Sequence, residues 1–555
     1  TNYTTLANWK TANTNAYDQA SVDANPTFAD VNNADFTPTE VSINGMGDNV
    51  GVTTDFRDSS RTATPDPGAI EFTLPGCTSP AEAGTATSTV NTVCQNTIFT
   101  LNLTGNSVGT GINYQWQSSV NGTTGWTNMG SAVDVSIKNV TQTDTMWYRC
   151  IARCNMGTPD TSSVVQVNTA VLASGSYSIN SGIPTGGSNF QSFTEAVNYI
   201  GCGVNGPVTF TIAPGGTYTE QIMIPAIAGA SSTNKITFKG NLATLTFTPT
   251  DAANRHVLWL NGADHVTVDS LNVTVGGTVA GWGVVLTNQA DSNTIKNCTI
   301  DVGNATSTSA NFIPVVINGV ANTTDTSGNN GNYNLFENNS LLNGYYGFYV
   351  YGNSASNTQN VGNIFRGNSV KDYYNYGLYG IYLRSTVISA NDFSRPARTN
   401  STTTAGVFLT TGCLGSLIEK NKINNLFDAF ATSTSTAYGI YISADATTGL
   451  ENRLINNLIY NFNGNGTHYG IYNTGGDSML VYHNTIILDD ANATGAGYGI
   501  YQTTAATGIQ ILNNIISVTR AQAGIKRCLH YNTNTSTFIS NKNVLYLNAG
   551  AGTDN

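Results

Sequence analysis

Charge is what this 555-residue chain has least of: Asp, Glu, Lys and Arg make up 10% of it, against about 25% in ordinary soluble proteins. Solubility therefore falls to Asn, Thr, Ser and Gly, the residues of turns and stacked strands. The formal charge of −11 and the pI near 4.8 argue against a nucleic-acid partner, because no basic cluster is present to neutralise phosphate. No apolar run approaches the ~18 residues of a membrane span, so no membrane insertion is expected. The chain opens on Thr with no leader-like segment, and a mature or excised fragment is expected. Its 40% apolar content can fill several cores, which implies two or more domains.

What is present is a cadence. Between Gly283 and Gly524 a glycine followed by alternating bulky apolar residues recurs about every 25 to 33 residues, as in Tyr346-Gly347-Phe348-Tyr349, Tyr379-Gly380-Ile381-Tyr382, Tyr438-Gly439-Ile440-Tyr441, Tyr469-Gly470-Ile471-Tyr472, Tyr498-Gly499-Ile500-Tyr501 and Ala523-Gly524-Ile525. A fixed period of this size marks a solenoid. A second phrase, apolar-x-x-Asn-x-apolar, keeps step with it and places Asn339, Asn368, Asn421, Asn457, Asn484 and Asn514. Earlier in the chain Leu271 and Cys298 take the asparagine place. Two short β-branched or aromatic phrases per period predict at least two strands per coil.

The glycine is expected to supply a corner that a Cβ would obstruct. Asparagine tolerates left-handed corners, and its amide can bond the amide of the next coil, forming a ladder. The fold class read from this is all-β, a parallel β-helix over residues 172–555, right-handed by the crossover rule. Ser192-Phe193-Thr194-Glu195 is a capping box that opens a short helix at about 192–200, placed to cover the first coil. Cys202, Cys298, Cys413 and Cys528 read as small buried packers.

Residues 77–171 carry the other four cysteines. The stretch Asp144-Thr145-Met146-Trp147-Tyr148-Arg149-Cys150 resembles the Asp-x-x-x-Tyr-x-Cys signature of immunoglobulin-like domains, and Trp116 resembles their strand C tryptophan. The resemblance implies a β-sandwich with disulfides. It departs where Leu103 stands in place of the strand B cysteine. Of three possible pairings, Cys77–Cys154 with Cys94–Cys150 is favoured, four buried thiols being the alternative. Paired cysteines imply an oxidising compartment.

Residues 1–76 lack both coil phrases. Their stretch from Trp9 through Asn25-Pro26-Thr27-Phe28 to Val52-Thr53-Thr54-Asp55-Phe56-Arg57-Asp58, Arg61 and Asp66-Pro67-Gly68-Ala69-Ile70-Glu71-Phe72 resembles the closing segment of pectate-lyase-like β-helix domains in bacterial surface proteins. Asn541 to Leu547 resembles the coil that precedes such a segment. The expectation is one unit of a tandem array, in which residues 1–76 close the helix of the preceding repeat; the alternative is that they dock on the last coil of their own chain. Taken whole, the chain is similar to the giant repetitive surface proteins exported by the type IX pathway in gliding and predatory bacteria, some of which build hooks, fibres or adhesins.

That resemblance implies a structural unit of an extracellular filament, hook or giant adhesin on the bacterial cell surface. It would be a non-enzymatic rod for attachment to surfaces, cells or prey, joined to copies of itself head to tail and laterally, with cell-surface glycans as further partners. The competing reading is a polysaccharide lyase or hydrolase of the β-helix type with an accessory module, and a third is a monomeric carbohydrate-binding protein. Catalysis of the second kind needs paired carboxylates. The central coils offer only Asp489-Asp490, with His483 and His468 nearby and no Arg or Lys, which reads better as a polar turn. Tyr382, Tyr441, Tyr472 and Tyr501 are candidates for an outward aromatic stripe that could bind sugar rings, with Ile381, Ile440, Ile471 and Ile500 inside. No cofactor is expected, calcium at Asp55, Asp58 and Asp66 being the one candidate, against a simple pairing with Arg61.

Overall fold

The computed structural model describes residues 1–555 except 1–4, 7–8, 11–17, 27, 41–42, 74–75, 329, 355–359, 492, 521–522, 549–552 and 555. Thr27 of the closing-segment resemblance lies outside the described residues. The chain divides into two units, Thr1–Val171 and Leu172–Asn555.

The second unit is a right-handed parallel β-helix. Each full coil contributes one strand to each of three parallel sheets, of 14, 12 and 12 strands among the described residues, one more strand per coil than the two phrases required. The register is unbroken from Val208↔Ile236 in the first sheet to Ile516↔Leu545 in the second and Ile500↔Leu529 in the third. One continuous apolar core runs the length of the stack, including Phe210, Ile300, Phe365, Ile423, Ile471 and Ile516. The helix Phe193–Ile200 is capped by Ser192, whose Oγ accepts from the Glu195 N–H at 3.1 Å. It buries Phe193, Ala196, Val197 and Ile200 over the first coil.

The asparagine phrase forms an internal ladder at the corner between the first and second sheets. The Oδ1 of Asn391 accepts from both the backbone N–H and the Nδ2 of Asn368, each at 2.9 Å, while Asn368 Nδ2 also donates to the Phe336 carbonyl at 2.9 Å. The same three contacts recur through Asn421, Asn457, Asn484 and Asn514, all fully or almost fully buried. Asn391, in the short coil between Asn368 and Asn421, also belongs to the ladder, and Asn543 is its last member among the described residues. The left-handed corner itself falls one residue earlier, at Asn338, Lys420, Asn456, His483 and Asn513, with φ between 54° and 62°. Ladder asparagines are therefore chosen for the amide and not for their backbone freedom. A second buried column, Asn293, Asn334 and Asn363, makes similar bonds at the corner entering the first sheet.

The repeated glycine lies within the third-sheet strand. Pairing steps over it in coil after coil: Tyr438 faces Tyr469 and Ile440 faces Ile471, with Gly439 and Gly470 left out. A Cβ on Gly439 would lie 2.4 Å from the Gly470 carbonyl oxygen and 2.9 Å from the Ile459 side chain. Space is the constraint, because the second sheet's apolar residue fills the site. The pairing also corrects two phrases. Gly347 stacks on Gly377, which precedes Gly380, and the position opposite Gly499 is Cys528, since Gly524 precedes its strand. Glycine spacing from Gly347 to Gly499 then becomes 30, 29, 33, 31 and 29 residues.

Within the first unit, residues 82–170 form a six-stranded sheet and a three-stranded sheet, antiparallel except where Thr92–Val93 runs parallel to Val165–Thr169. Between them lie Leu101, Trp116, Tyr148 and Val167. Trp116 Nε1 donates to the Ser136 carbonyl at 2.8 Å and Tyr148 Oη to Gln142 Oε1 at 2.7 Å. Cys77 and Cys154 form a disulfide. Cys150 is free and buried, correcting its expected pairing with Cys94; Cys94 is disulfide-bonded nonetheless. The Cys150 thiol points into the apolar core, and burial pushes its pKa up to about 12. Cys298, Cys413 and Cys528 are free and buried, whereas Cys202 is disulfide-bonded, against expectation.

Two substitutions test the coil interior by thermal melting. Gly439→Ala forces a methyl group against backbone and should cost about 1–3 kcal/mol. Asn421→Leu removes the acceptor of two buried Asn391 donors and should lower the melting temperature at least as far, at about 1–3 kcal/mol per orphaned group.

Candidate functional site

The third sheet sets an aromatic face on the outside of the β-helix, and the glycine bend creates it. In a regular strand, residues three apart face opposite ways. Because the bend turns both Gly439 and Ile440 inward, Tyr438 and Tyr441 both face out, where one outward Tyr per coil was expected. Pairing lines them up in two rows. One runs Tyr346, Tyr376, Ala405, Tyr438, Tyr469, Tyr498, and the other Tyr349, Tyr379, Phe408, Tyr441, Tyr472, Tyr501. Arg527 and His530 follow at the ends of the rows.

Of the expected stripe, Tyr441, Tyr472 and Tyr501 share the second row. Tyr382 does not: Tyr379 holds that place, and Tyr382 sits on a left-handed corner (φ 52°) against Tyr351. Ile440, Ile471 and Ile500 stack inside as expected, but Leu378 is their counterpart and not Ile381. Tyr376 and Tyr379 were missed because their coil holds two glycines, Gly377 and Gly380, and only pairing distinguishes them.

Ring geometry decides what this face can do. Tyr438, Tyr469 and Tyr498 stack nearly parallel at 5.1 and 5.2 Å between centroids, and Phe408 stacks on Tyr441 at 4.1 Å. Across the rows Tyr469 meets Tyr472, and Tyr498 meets Tyr501, edge to face at 4.7 and 4.8 Å. The faces are turned on one another, so solvent meets edges. Burial pushes the Tyr376 and Tyr379 phenols up to about 12, which keeps them neutral. Sugar recognition by ring stacking needs an open face, and in the middle of these rows the faces are occupied.

The carboxylate pair and its histidines do not converge. His468 is fully buried between Phe427 and Phe462, with both ring nitrogens unpartnered among the described residues. His483 is an exposed corner residue beside Asn513. Asp490 accepts from the Gly464 N–H at 3.1 Å. The sequence placed no cation near it, but Arg520, thirty residues on, lies close enough for the two charges to interact. Arg520 is itself buried and donates to the carbonyls of Gly464, Gly466 and Ala496. Burial of its guanidinium lowers its pKa to about 10, with Asp490 opposing that shift. A coil-spanning clamp is the chemistry available there.

Two of the three aspartates expected as calcium ligands, Asp55 and Asp66, have their carboxylates occupied by backbone. Asp55 accepts from the N–H groups of Arg57, Ser59 and Glu71, each at 2.8 Å, and Asp66 from those of Gly45 and Phe72. Burial pushes the Asp55 carboxyl up, but these donors outweigh it and hold it below the ordinary value. Arg61 pairs with Glu71 at 3.0 Å, and not with any of the three aspartates considered for calcium. Among the described residues no group of three or more His, Cys, Asp or Glu is placed to hold a metal ion, and no helix is long and apolar enough to cross a membrane.

Residues 82–170 match a family model described as a domain of unknown function (DUF8696). No curated protein matches the chain. Similar solved structures include the Dettilon tailspike protein gp208 (12% identity, 60% of this chain and 64% of that chain, TM-score 0.35). They also include PfbA, a surface adhesin of Streptococcus pneumoniae (12%, 64% and 88%, 0.36), and the catalytic domain of a GH87 alpha-1,3-glucanase (12%, 84% and 100%, 0.33). The chain spans just under two thirds of the tailspike's length.

Buried neutral histidines make stability depend on pH. Burial lowers His256 to about 4 and His468 well below 6.5, Arg520 reinforcing the latter shift. Below about pH 6.5 the unfolded chain takes up protons that the folded chain refuses, so stability falls with pH by up to about 1.4 kcal/mol per unit per histidine. Chemical denaturation at pH 7.5, 6.0 and 5.0 should show this decline, and His468→Phe should flatten part of it.

Proposed function

We propose that the chain is a structural unit of an extracellular surface filament, hook or giant adhesin, a stiff non-enzymatic rod for attachment that joins to further copies of itself. The observation that carries this reading is the uninterrupted stack of residues 172–555, whose backbone and amide hydrogen bonds run along its length. At about 4.8 Å per coil, twelve coils span about 60 Å. The disulfides fit an oxidising, extracellular setting. Export by the type IX pathway, an immunoglobulin-like identity for residues 77–171 and a bacterial cell-surface location belong to the same proposal, on the motifs of the sequence.

The polysaccharide lyase or hydrolase reading requires acid and base groups facing a common space. The central coils hold one adjacent pair, of which Asp490 bonds to the coil before it; His468 is sealed in an apolar core and His483 lies on an exposed corner. Glycans remain partners to be tested, through the hydroxyl edges of the tyrosine rows.

Negative-stain electron microscopy and small-angle scattering should show a rigid body of about 60 Å for residues 172–555. Antibodies to the chain should label intact cells of the source organism. Incubation with acidic and neutral polysaccharides should release neither unsaturated nor reducing sugars; release of either would establish the enzymatic alternative. A glycan array will decide sugar binding.

A further inference from the structure

The rings on the third sheet form one connected path. It runs from Tyr498 to Tyr469 and Tyr438 at 5.2 and 5.1 Å between centroids, crosses to Tyr441 at 4.9 Å and meets Phe408 at 4.1 Å. It continues to Tyr379 at 5.2 Å, Tyr346 at 5.4 Å and Tyr349 at 5.3 Å. Each step is a ring contact. Phenols are among the side chains that lose a single electron most readily, and electron exchange between rings falls steeply with separation. Rings in contact therefore share an oxidation. Phe408 is the weak link, because it has no hydroxyl and the other row holds Ala405 in the same coil.

Tyr349 differs from the other rings of the path. It is 1% exposed and packs with Trp282, Val285, Ile313 and Val316 in an apolar cluster of its own. Ala321 joins that cluster from a loop that the Gly319 N–H closes on the Thr326 carbonyl at 2.9 Å. The same loop carries Asp325. The Tyr349 hydroxyl donates to Asp325 Oδ1 at 2.6 Å and accepts from the Asp325 backbone N–H at 2.8 Å. Among the described residues no other tyrosine donates to a carboxylate. A phenol releases its proton as it loses an electron, and water is a poor acceptor at that moment. A carboxylate already within hydrogen-bond reach takes the proton without either group moving.

We infer that the aromatic rows carry oxidising equivalents along the β-helix, and that Tyr349 with Asp325 is the redox site at which a one-electron oxidation of this surface comes to rest. This activity does not depend on the rod reading. The oxidant is external, a one-electron acceptor that reaches the exposed ring edges and is itself reduced by one electron. Each neighbouring ring then refills the one before it, until Tyr349 supplies the electron. There the O–H bond breaks, the proton passes to Asp325 Oδ1, and a neutral phenoxyl radical faces a carboxylic acid. The Asp325 N–H still holds the phenoxyl oxygen. Burial keeps the radical from coupling with a tyrosine of another molecule, and an external one-electron reductant restores the phenol as the proton returns.

Flash photolysis tests this with the full chain. Thr504→Cys, at an exposed position three residues past Tyr501, takes a ruthenium(II) polypyridyl maleimide, since the free Cys150, Cys298, Cys413 and Cys528 are buried. A flash with a soluble electron acceptor generates ruthenium(III) beside the far end of the rows. Transient absorption and electron paramagnetic resonance should then show a long-lived tyrosyl radical whose formation is slower in D2O. Tyr349→Phe should abolish it. Asp325→Asn keeps an acceptor for the hydroxyl but is no base, and should cause the same loss. Phe408→Leu, which opens a gap in the path, should also remove the signal, and Phe408→Tyr should hasten its appearance. Tyr349→Phe and Phe408→Tyr each change one oxygen and keep the ring, so they hold the test if either other variant melts below the parent. Absence of a long-lived radical in the labelled parent overturns the inference, as does one that survives Tyr349→Phe or Asp325→Asn. A signal unaffected by both changes at Phe408 overturns the path.

Discussion

Every coil of this protein must hand its polar groups to the next in the same register, and the rest of the structure follows from that one constraint. A parallel stack satisfies its backbone along the axis, but its inner corners bury N–H groups that sheet pairing does not reach. The asparagine amide solves this with an acceptor for two donors on one neighbouring coil and a donor to the coil on the other side. An unsatisfied group at such a site costs about as much as a lost hydrogen bond, which is why the same side chain returns at the same corner.

The glycine bend obeys a second demand, that of volume. Residues such as Ile459 and Ile486 of the second sheet reach across the coil to the third, and a backbone without Cβ lets them in. Because the bend breaks the in-out alternation, it also brings the tyrosines on either side of it to the outer surface. A packing requirement inside thus produces an aromatic cladding outside. The rings then cover one another, a way of hiding apolar area on a surface with very little charge.

Period, fold class and most of the ladder were readable because the same chemistry must recur at every coil. Residue spacing alone does not determine which residues of neighbouring coils pair. Gly380 was read as the repeat glycine because it precedes Ile-Tyr, although Gly377 is the one stacked, and Tyr382 was placed in the stripe for the same reason. Asn391 escaped because its coil is shorter than its neighbours. The disulfide at Cys77–Cys154 could be read from the domain pattern, but the pairing of Cys94 with Cys150 expected from the same pattern is not formed, since an apolar environment holds a free thiol as readily as a bridged one. Arg520 beside Asp490 was invisible because the two lie thirty residues apart and meet only through the coil geometry.

Hydrogen bonds aligned with the long axis have a mechanical corollary. A pull between the ends loads each inter-coil layer in series, and the layer with the fewest amide contacts yields first. Releasing one turn of about 30 residues shortens the stack by about 5 Å but pays out about 100 Å of extended chain. The neighbouring turns keep their own bonds. Under load the beam becomes a spool, lengthening step by step without breaking its covalent thread.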